Sequence, residues 1–350
     1  MQMDFFDFFS GCGGTSRGML EAGMKVRFGL DLDPDAKRTF EYNFRKAKFI
    51  CADIQQITVK DVAPYIKRRN GHSLVFGACA PCQPFSIQTR NRWANDGRRN
   101  LLEEFHRFIE YFLPEYIFLE NVPGFNQAGQ GEDQFEHFIG LLDLLGYCHD
   151  HDTVIAHNFG VPQRRRRLIL VASLHGSIKL PDPTHGPGTD SPVLPTVWDW
   201  ISDLPPIKAG ETHPKDPNHR AARLSSLNLQ RISSTPEGGT RLDWPKKLQL
   251  KCHKAHSGHT DVYGRMHKNR PAPALTTRCI SLSNGRYGHP VQDRAISVRE
   301  AARIQTFPHN FHFLGSLNSM ARQVGNAVPV ELARICGLKI IDHFNSIERH

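Results

Sequence analysis

Apolar positions in the first half of the chain switch repeatedly between a period of two and a period near 3.6. Asp4-Phe-Phe-Asp-Phe-Phe9 reads as a strand that breaks at Ser10-Gly-Cys-Gly-Gly14, and a helix then runs to about Glu21. Lys25 to Leu30 reads as a second strand, followed by a helix from about Asp35 to Asn43. Leu74 to Gly77 is a short apolar strand. Leu101, Leu102, Phe105, Phe108, Ile109 and Phe112 share one helical face. Tyr116 to Leu119 is a strand ending at Glu120. Phe135, Phe138, Ile139, Leu142 and Leu145 mark another helix, and Leu168 to Val171 closes the series. This alternation predicts an α/β fold, a mostly parallel sheet with helices on both faces.

The alternation stops at Pro181-Asp-Pro-Thr-His-Gly-Pro-Gly-Thr-Asp-Ser-Pro192, where Pro and Gly crowd into a linker. From 174 to 270 no strong period appears, and Lys and Arg outnumber Asp and Glu, so a basic, loop-rich module is expected there. A structured tail follows. Ser297-Val-Arg-Glu300 is a capping-box pattern opening a helix towards Thr306. Gln323-Val-Gly-Asn-Ala-Val-Pro329 reads as a turn-rich stretch, and Val330 to Phe344 as a last helix able to dock back on the first domain.

Composition narrows the classes. The 350 residues suit two domains, or one large domain with an inserted module. No apolar run reaches the ~18 residues of a membrane helix. Met1-Gln-Met-Asp4 lacks the basic start of a signal peptide. Eight scattered cysteines argue against a disulfide framework and for a reducing, cytoplasmic setting. A formal charge of +9 favours a polyanionic partner, weakly by itself.

Three groups carry candidate chemistry. The first is Phe9-Ser-Gly-Cys-Gly-Gly14, a glycine-rich strand-to-helix turn whose backbone can approach a ligand. It lacks the spacing of a dinucleotide fingerprint and the Lys-Ser/Thr of a phosphate loop, and a plain tight turn reads equally well. Asp31, at the end of the second strand, could accept a ribose hydroxyl proton, and Asp53 follows the apolar Phe49-Ile50; each could also be a helix cap. The second group is Gly77-Ala-Cys-Ala-Pro-Cys-Gln-Pro-Phe-Ser86, a thiol at a strand end. Cys79 and Cys82 also read as a redox pair or half a metal site. The third is Glu120-Asn-Val122 with Gln163-Arg-Arg-Arg-Arg167. In an extended chain Arg165 and Arg167 point to one side; alone, the arginine run reads as a solvated face and Glu120 as a cap.

In this order, the motifs strongly resemble those of the cytosine-C5 DNA methyltransferases in their short prokaryotic, restriction-modification form. Arg270-Pro-Ala-Pro-Ala-Leu-Thr-Thr277 and Gly325-Asn-Ala-Val-Pro329 match later blocks of the same family. The resemblance covers most of 4 to 172 and 264 to 340. It implies a Rossmann-like S-adenosylmethionine-dependent methyltransferase sheet domain over 1–173, completed by about 323–350. A smaller loop-rich target-recognition domain and hinge would span 174–322, with its variable DNA-reading part at about 182–262. No further regulatory domain is expected.

The resemblance also implies roles. Phe9 lies against adenine, Gly11 and Gly13 near the methionine part, Asp31 on the ribose and Asp53 near the adenine amino group. Leu101 packs on adenine, and Asn326 with Gly325 completes the pocket. Cytosine C5 is a poor nucleophile until something adds at C6, and a thiolate suits that step. Cys82 is thereby the nucleophile and Cys79 packing, Glu120 the N3 partner, and Arg165 and Arg167 the donors to the base carbonyl. The stretch from Cys82 to Leu101, with Ser86, Arg90, Arg92, Arg98 and Arg99, becomes a lid meeting DNA phosphates; a plain surface loop is the other reading. Gln163 is grouped with these DNA-facing residues.

The implied protein is a monomer in the cytoplasm of a prokaryotic cell. It uses S-adenosylmethionine and acts on double-stranded DNA by base flipping, beside a separate cognate restriction endonuclease. The competing reading is RNA (tRNA) cytosine-C5 methylation by the same chemistry. A non-enzymatic DNA binder with a degenerate site is disfavoured by the intact Cys82, Glu120 and Arg165. A zinc deaminase would need His-x-Glu, which none of the 19 histidines begins. Cys252, His253, His256 and His259 do not have zinc-finger spacing, so no metal is expected.

Overall fold

The computed structural model describes residues 2–80, 101–123, 132–250 and 260–347. The chain divides into two compact units. The first comprises 1–159, 166–183 and 328–350; the second comprises 160–165 and 184–327.

The first unit is built on one sheet. Its strands are β1 (Gln2–Phe8), β2 (Lys25–Asp31), β3 (Lys48–Cys51), β4 (His72–Ala78), β5 (Tyr116–Asn121), β6 (Cys148–Ile155) and, after the two-residue β7 (Gln163–Arg164) of the second unit, β8 (Arg166–Ser173). The order across the sheet is β3-β2-β1-β4-β5-β8-β6. Strands β1 to β5 run parallel, and β8 lies antiparallel to both β5 and β6. The order therefore reverses between β1 and β4. Open α/β sheets bind ligands beyond the carboxyl ends of strands at such a reversal.

Burial explains the strand sequences. Met3 to Phe8 are all buried, so both faces of β1 are covered, and Met3, Phe5, Phe6 and Phe8 supply its apolar side chains. Its two carboxylates are engaged: Asp4 takes Arg27 at 2.8 Å and His72 at 3.2 Å, while Asp7 reaches forward to the next helix. Phe8 sits at the centre of a ring cluster, with Phe28, Phe76, Phe105 and Phe108 at centroid distances of 5.1–5.8 Å. Phe105 and Phe108 come from helix α4 (Leu101–Phe112), whose apolar face is the one the spacing predicts.

Helix α1 (Gly14–Glu21) and helix α2 (Pro34–Asn43) follow β1 and β2, and the short helix α3 (Val59–Val62) follows β3. Asp33 caps α2 by accepting Asp35 N–H at 2.9 Å, with Pro34 at the first helical position. The C-terminal helix Val330–Ile347 lies along α1 at close range. A Cβ on Gly18 would stand 2.4 Å from the Val330 carbonyl oxygen, so that crossing needs a glycine.

Some elements go beyond the sequence expectation, among them β3, where only the apolar Phe49-Ile50 stood out. Strand β6 reads Cys-His-Asp-His-Asp-Thr-Val-Ile and carries no apolar alternation, because it is an edge strand with only partly buried faces. In the second unit, Leu317–Asn326 is a helix running into the stretch expected to be turn-rich. Its Gly325 is required by close approach: a Cβ there would lie 2.1 Å from the Thr276 carbonyl oxygen.

The second unit otherwise holds short elements. They include the paired strands Thr212–His213 and Asp216–Arg220 and the helices Ser226–Ser233 and Val298–Ile304. Ser297 and Glu300 form the predicted capping box, and Glu300 also binds Arg294 through two contacts of 2.7 Å with both side chains buried. Among the described residues, no helix is long and apolar enough to cross a membrane.

Candidate active site

The carboxyl ends of β1, β2, β4 and β5, with the start of β8, assemble a polar cluster in the first unit. At β1, Phe9 adopts a left-handed backbone (φ 57°), as do Gly11 (φ 51°) and Gly13 (φ 96°). A phenylalanine held there marks a constrained turn. The turn is fastened to β2: Ser10 N–H donates to the Leu30 carbonyl at 2.9 Å, and Gly11 N–H donates to Asp31 Oδ2 at 2.8 Å. Asp31 Oδ1 accepts Asp33 N–H at 2.9 Å. Burial raises the Asp31 carboxyl above its usual range, against these hydrogen bonds.

Gly13 is the N-cap of α1 and has no side chain to offer. Asp7 supplies the cap from the preceding strand. Its Oδ2 accepts Ser16 N–H at 3.1 Å and Ser16 Oγ–H at 2.5 Å. Asp7 is fully buried, and that burial lifts its pKa to about 7 despite the Ser16 bonds, with the Asp31 charge adding to the rise.

Beyond β3, Asp53 is the N-cap of the short turn Ile54–Gln56, and its Oδ1 accepts Gln55 N–H at 3.0 Å. The helix-cap reading of Asp53 therefore holds for one of its oxygens. Leu101 opens α4 and is buried. Leu32, next to Asp31, is 65% exposed, an apolar surface at the strand end that the sequence reading passed over. Its signal was a leucine between two aspartates, where a turn would ordinarily be polar.

At β5, Glu120 is buried and pairs with Arg167 Nε at 2.5 Å. The register explains the meeting: Glu120 faces Ile169 and Asn121 faces Leu168, so Arg167 enters β8 beside the end of β5. Asn121 Oδ1 accepts Val122 N–H at 2.7 Å. Cys79 follows β4, with its sulfur 3.2 Å from Thr15 Oγ1. Burial, then the negative charge of Glu120, pushes its thiol well above the usual range, so Cys79 is a poor nucleophile at neutral pH.

Arg165 and Gln163 belong to the second unit. Arg165 is buried, and its Nη1 donates to the carbonyls of Leu275 at 3.0 Å and Gly325 at 3.2 Å. Gln163 is wholly buried. Its Oε1 accepts Leu275 N–H at 2.8 Å and its Nε2 donates to Gln305 at 2.9 Å. Expected against DNA, its amide is committed to protein partners here. Gln305 in turn donates to the carbonyls of Val324 and Ala327, which flank Asn326. The structure thus brings together Gly11 with Asp31, Glu120 with Arg167, and Arg165 with Gly325.

Cys82, Ser86, Arg90, Arg92, Arg98 and Arg99 lie outside the described residues, as do Cys252, His253, His256 and His259. Among the described residues, no group of three or more His, Cys, Asp or Glu is placed to hold a metal ion. Among the described residues, Cys51, Cys79, Cys148, Cys279 and Cys336 form no disulfide.

Comparison with known proteins adds an independent finding. The profile described as C-5 cytosine-specific DNA methylase matches residues 3–342. The type II methylase M.HgiDII of Herpetosiphon aurantiacus is 41% identical over 341 residues, 95% of this chain and 94% of that protein. The type II methyltransferase M1.HphI of Haemophilus parahaemolyticus is 31% identical over 337 residues, 95% of this chain and 85% of that protein. A prophage-encoded E. coli protein of known structure superposes with a TM-score of 0.76 at 23% identity, covering 98% of this chain and all of that one. At that identity the likeness speaks for the fold alone.

Proposed function

The chain belongs to the C-5 cytosine-specific DNA methylase family, and we propose that it transfers a methyl group from S-adenosylmethionine to C5 of a flipped-out cytosine in a specific duplex sequence. The observation that carries this reading is the Glu120–Arg167 pair, set at the same sheet end as the Gly11–Asp31 turn.

The residues present suit that methyl donor. Asp31 and Asp53 are acceptors for a ribose hydroxyl and an exocyclic amine, and Phe9 and the exposed Leu32 offer apolar cover for a purine. The turn Ser10–Thr15 holds no cation, which suits a positively charged sulfonium and not a phosphate. When bound, S-adenosylmethionine supplies an electrophilic methyl group. Gly13, Leu101 and Asn326 are assigned to the same ligand from the family pattern.

The protein's own groups prepare the base. C5 and C6 are attacked from the ring face, which stacked neighbours cover in a duplex, so the cytosine leaves the helix. The Cys82 thiolate forms a bond to C6, and the electron pair of the C5–C6 bond moves towards C5. Glu120 supports the charge at N3 by donating a proton there, and Arg167, with Arg165, faces the carbonyl oxygen. After methylation at C5, solvent water takes the C5 proton, the C5–H electron pair re-forms the C5–C6 double bond, Cys82 leaves as thiolate, and the N3 proton returns to Glu120. Ser86, Arg90, Arg92, Arg98 and Arg99 are assigned to DNA phosphates.

The second unit, around the variable stretch 182–262, is assigned to reading the target sequence. The enzyme works as a monomer in the cytoplasm of a prokaryotic cell and protects sites from a separate restriction endonuclease. The type II names of its relatives support that role. The test is methyl transfer from labelled donor, with duplex DNA and transfer RNA in competition and bisulfite sequencing of the product. Label at C5 of duplex cytosines is expected. Label at adenine or cytosine N4 overturns the reading, and preference for transfer RNA replaces DNA with RNA as substrate.

A further inference from the structure

Arg107 lies outside every motif discussed so far, yet it joins two segments assigned to the purine. It sits on α4, six positions after Leu101 and so about 1.7 turns along the helix. Its Nη2 donates to the carbonyl of Ile54 at 2.5 Å and to that of Ile57 at 2.6 Å, the two ends of the turn that Asp53 caps. Its Nε donates to Glu104 on the same helix at 2.7 Å, and its guanidinium packs 4.3 Å from the Phe108 ring centroid. One planar group thus spans the helix and the turn, with ring and carboxylate setting its orientation. A guanidinium can do this because its donors are fixed in one plane.

The geometry has a direct consequence for Asp53. Its backbone is continuous with Ile54, and Oδ1 is held by Gln55 within the clamped turn. The direction of Oδ2 is therefore set by where Arg107 holds that turn relative to α4. We propose that Arg107 is a positioning residue that sets purine selectivity: by fixing the Asp53 turn against the helix bearing Leu101, it aligns a carboxylate oxygen with the adenine amino group. This rests on the assignment of S-adenosylmethionine to the site.

The test uses the product nucleoside S-adenosylhomocysteine and its inosine analogue, which carries an oxygen in place of the amine. Both are titrated calorimetrically into the whole protein. A site built to accept from an amine disfavours the analogue, so the wild type should prefer the adenine compound by about tenfold or more. Arg107→Met keeps the stem over Phe108 but removes the donors, and should reduce that preference to within about twofold of unity. Arg107→Lys can reach one carbonyl and should retain part of it. Combining Arg107→Met with Asp53→Ala should be no worse than Asp53→Ala alone, as expected when one residue acts through the other.

General loosening of the fold would weaken both compounds equally and leave their ratio unchanged. An unchanged ratio in the Arg107 variants, or additive losses in the double variant, overturns the inference while the cofactor assignment stands. A wild type that binds neither compound overturns both.

Discussion

Replacing Asp7 with asparagine should change the pH dependence of stability in a defined direction. The carboxyl is fully buried, and its pKa is raised from 3.8 to about 7, first by burial. Between those values the unfolded chain has lost this proton and the folded chain retains it, so the folded state binds more protons and stability must fall as pH rises. The stabilising contribution is fully present below pH ~4 and is lost as pH passes through ~7. A gap of roughly three pKa units at 1.36 kcal/mol each corresponds to ~4 kcal/mol, accumulated at ~1.4 kcal/mol per pH unit.

Asparagine does not titrate, yet its oxygen can still accept from Ser16, the bond that caps α1. Wild type and Asp7→Asn should be compared by urea unfolding at half-unit steps from pH 4.5 to 8.5. All other titrating groups are shared, so they cancel in the difference, and a constant offset from the new amide has no slope. The variant should gain on the wild type steadily up to pH ~7 and then run parallel. A difference that stays flat across this range would refute the argument that Asp7 is folded with its proton on.

Two further outcomes test the proposed chemistry and the packing of the first unit. DNA carrying 5-fluorocytosine at the target should trap a denaturant-resistant covalent complex, since fluorine cannot leave C5 as a cation; Cys82→Ala should abolish the complex and Cys79→Ala retain it, whereas trapping that depends on Cys79 contradicts the mechanism. Gly18→Ala should lower unfolding free energy by about 1–3 kcal/mol, because its methyl would meet the Val330 carbonyl at 2.4 Å, and a thermal or urea midpoint equal to wild type would show that the helix crossing yields.

The parts of the site legible in the sequence are those where covalent order and spatial order coincide. Strand ends follow apolar runs, so the sequence alone puts Phe9, Asp31, Cys79 and Glu120 at one edge of a parallel sheet. The resemblance named Arg167, but its pairing with Glu120, 47 positions earlier, needed the register of β8 against β5, which no local pattern encodes. Strand β6 escaped because an edge strand need not alternate, and helix Leu317–Asn326 escaped because Gly-Asn resembles a turn signal. Gln163 reads in the sequence as one of the DNA-facing residues beside the arginine run. Its burial depends on Leu275 and Gln305, which lie 112 and 142 residues away.

The spacing from Asp7 to Ser16 makes physical sense once the cap is seen as borrowed. A helix start needs an acceptor for its first amides, and serine, threonine or aspartate at the N-cap would normally provide it. Here the N-cap position has a left-handed backbone, and a Cβ there would stand 2.4 Å from the Phe44 ring, so only glycine fits. The acceptor must then come from elsewhere, and the residue six positions earlier, still on β1, turns its carboxylate inward to Ser16. Gly11 adopts its positive φ without the strain a side chain would bring, and its amide goes to Asp31 rather than to the helix. Two carboxylates thus hold opposite sides of one turn, Asp7 towards α1 and Asp31 towards β2. Loss of either should loosen the same short backbone segment, so a buried acid outside the proposed cofactor contacts still shapes the turn that the cofactor is proposed to meet.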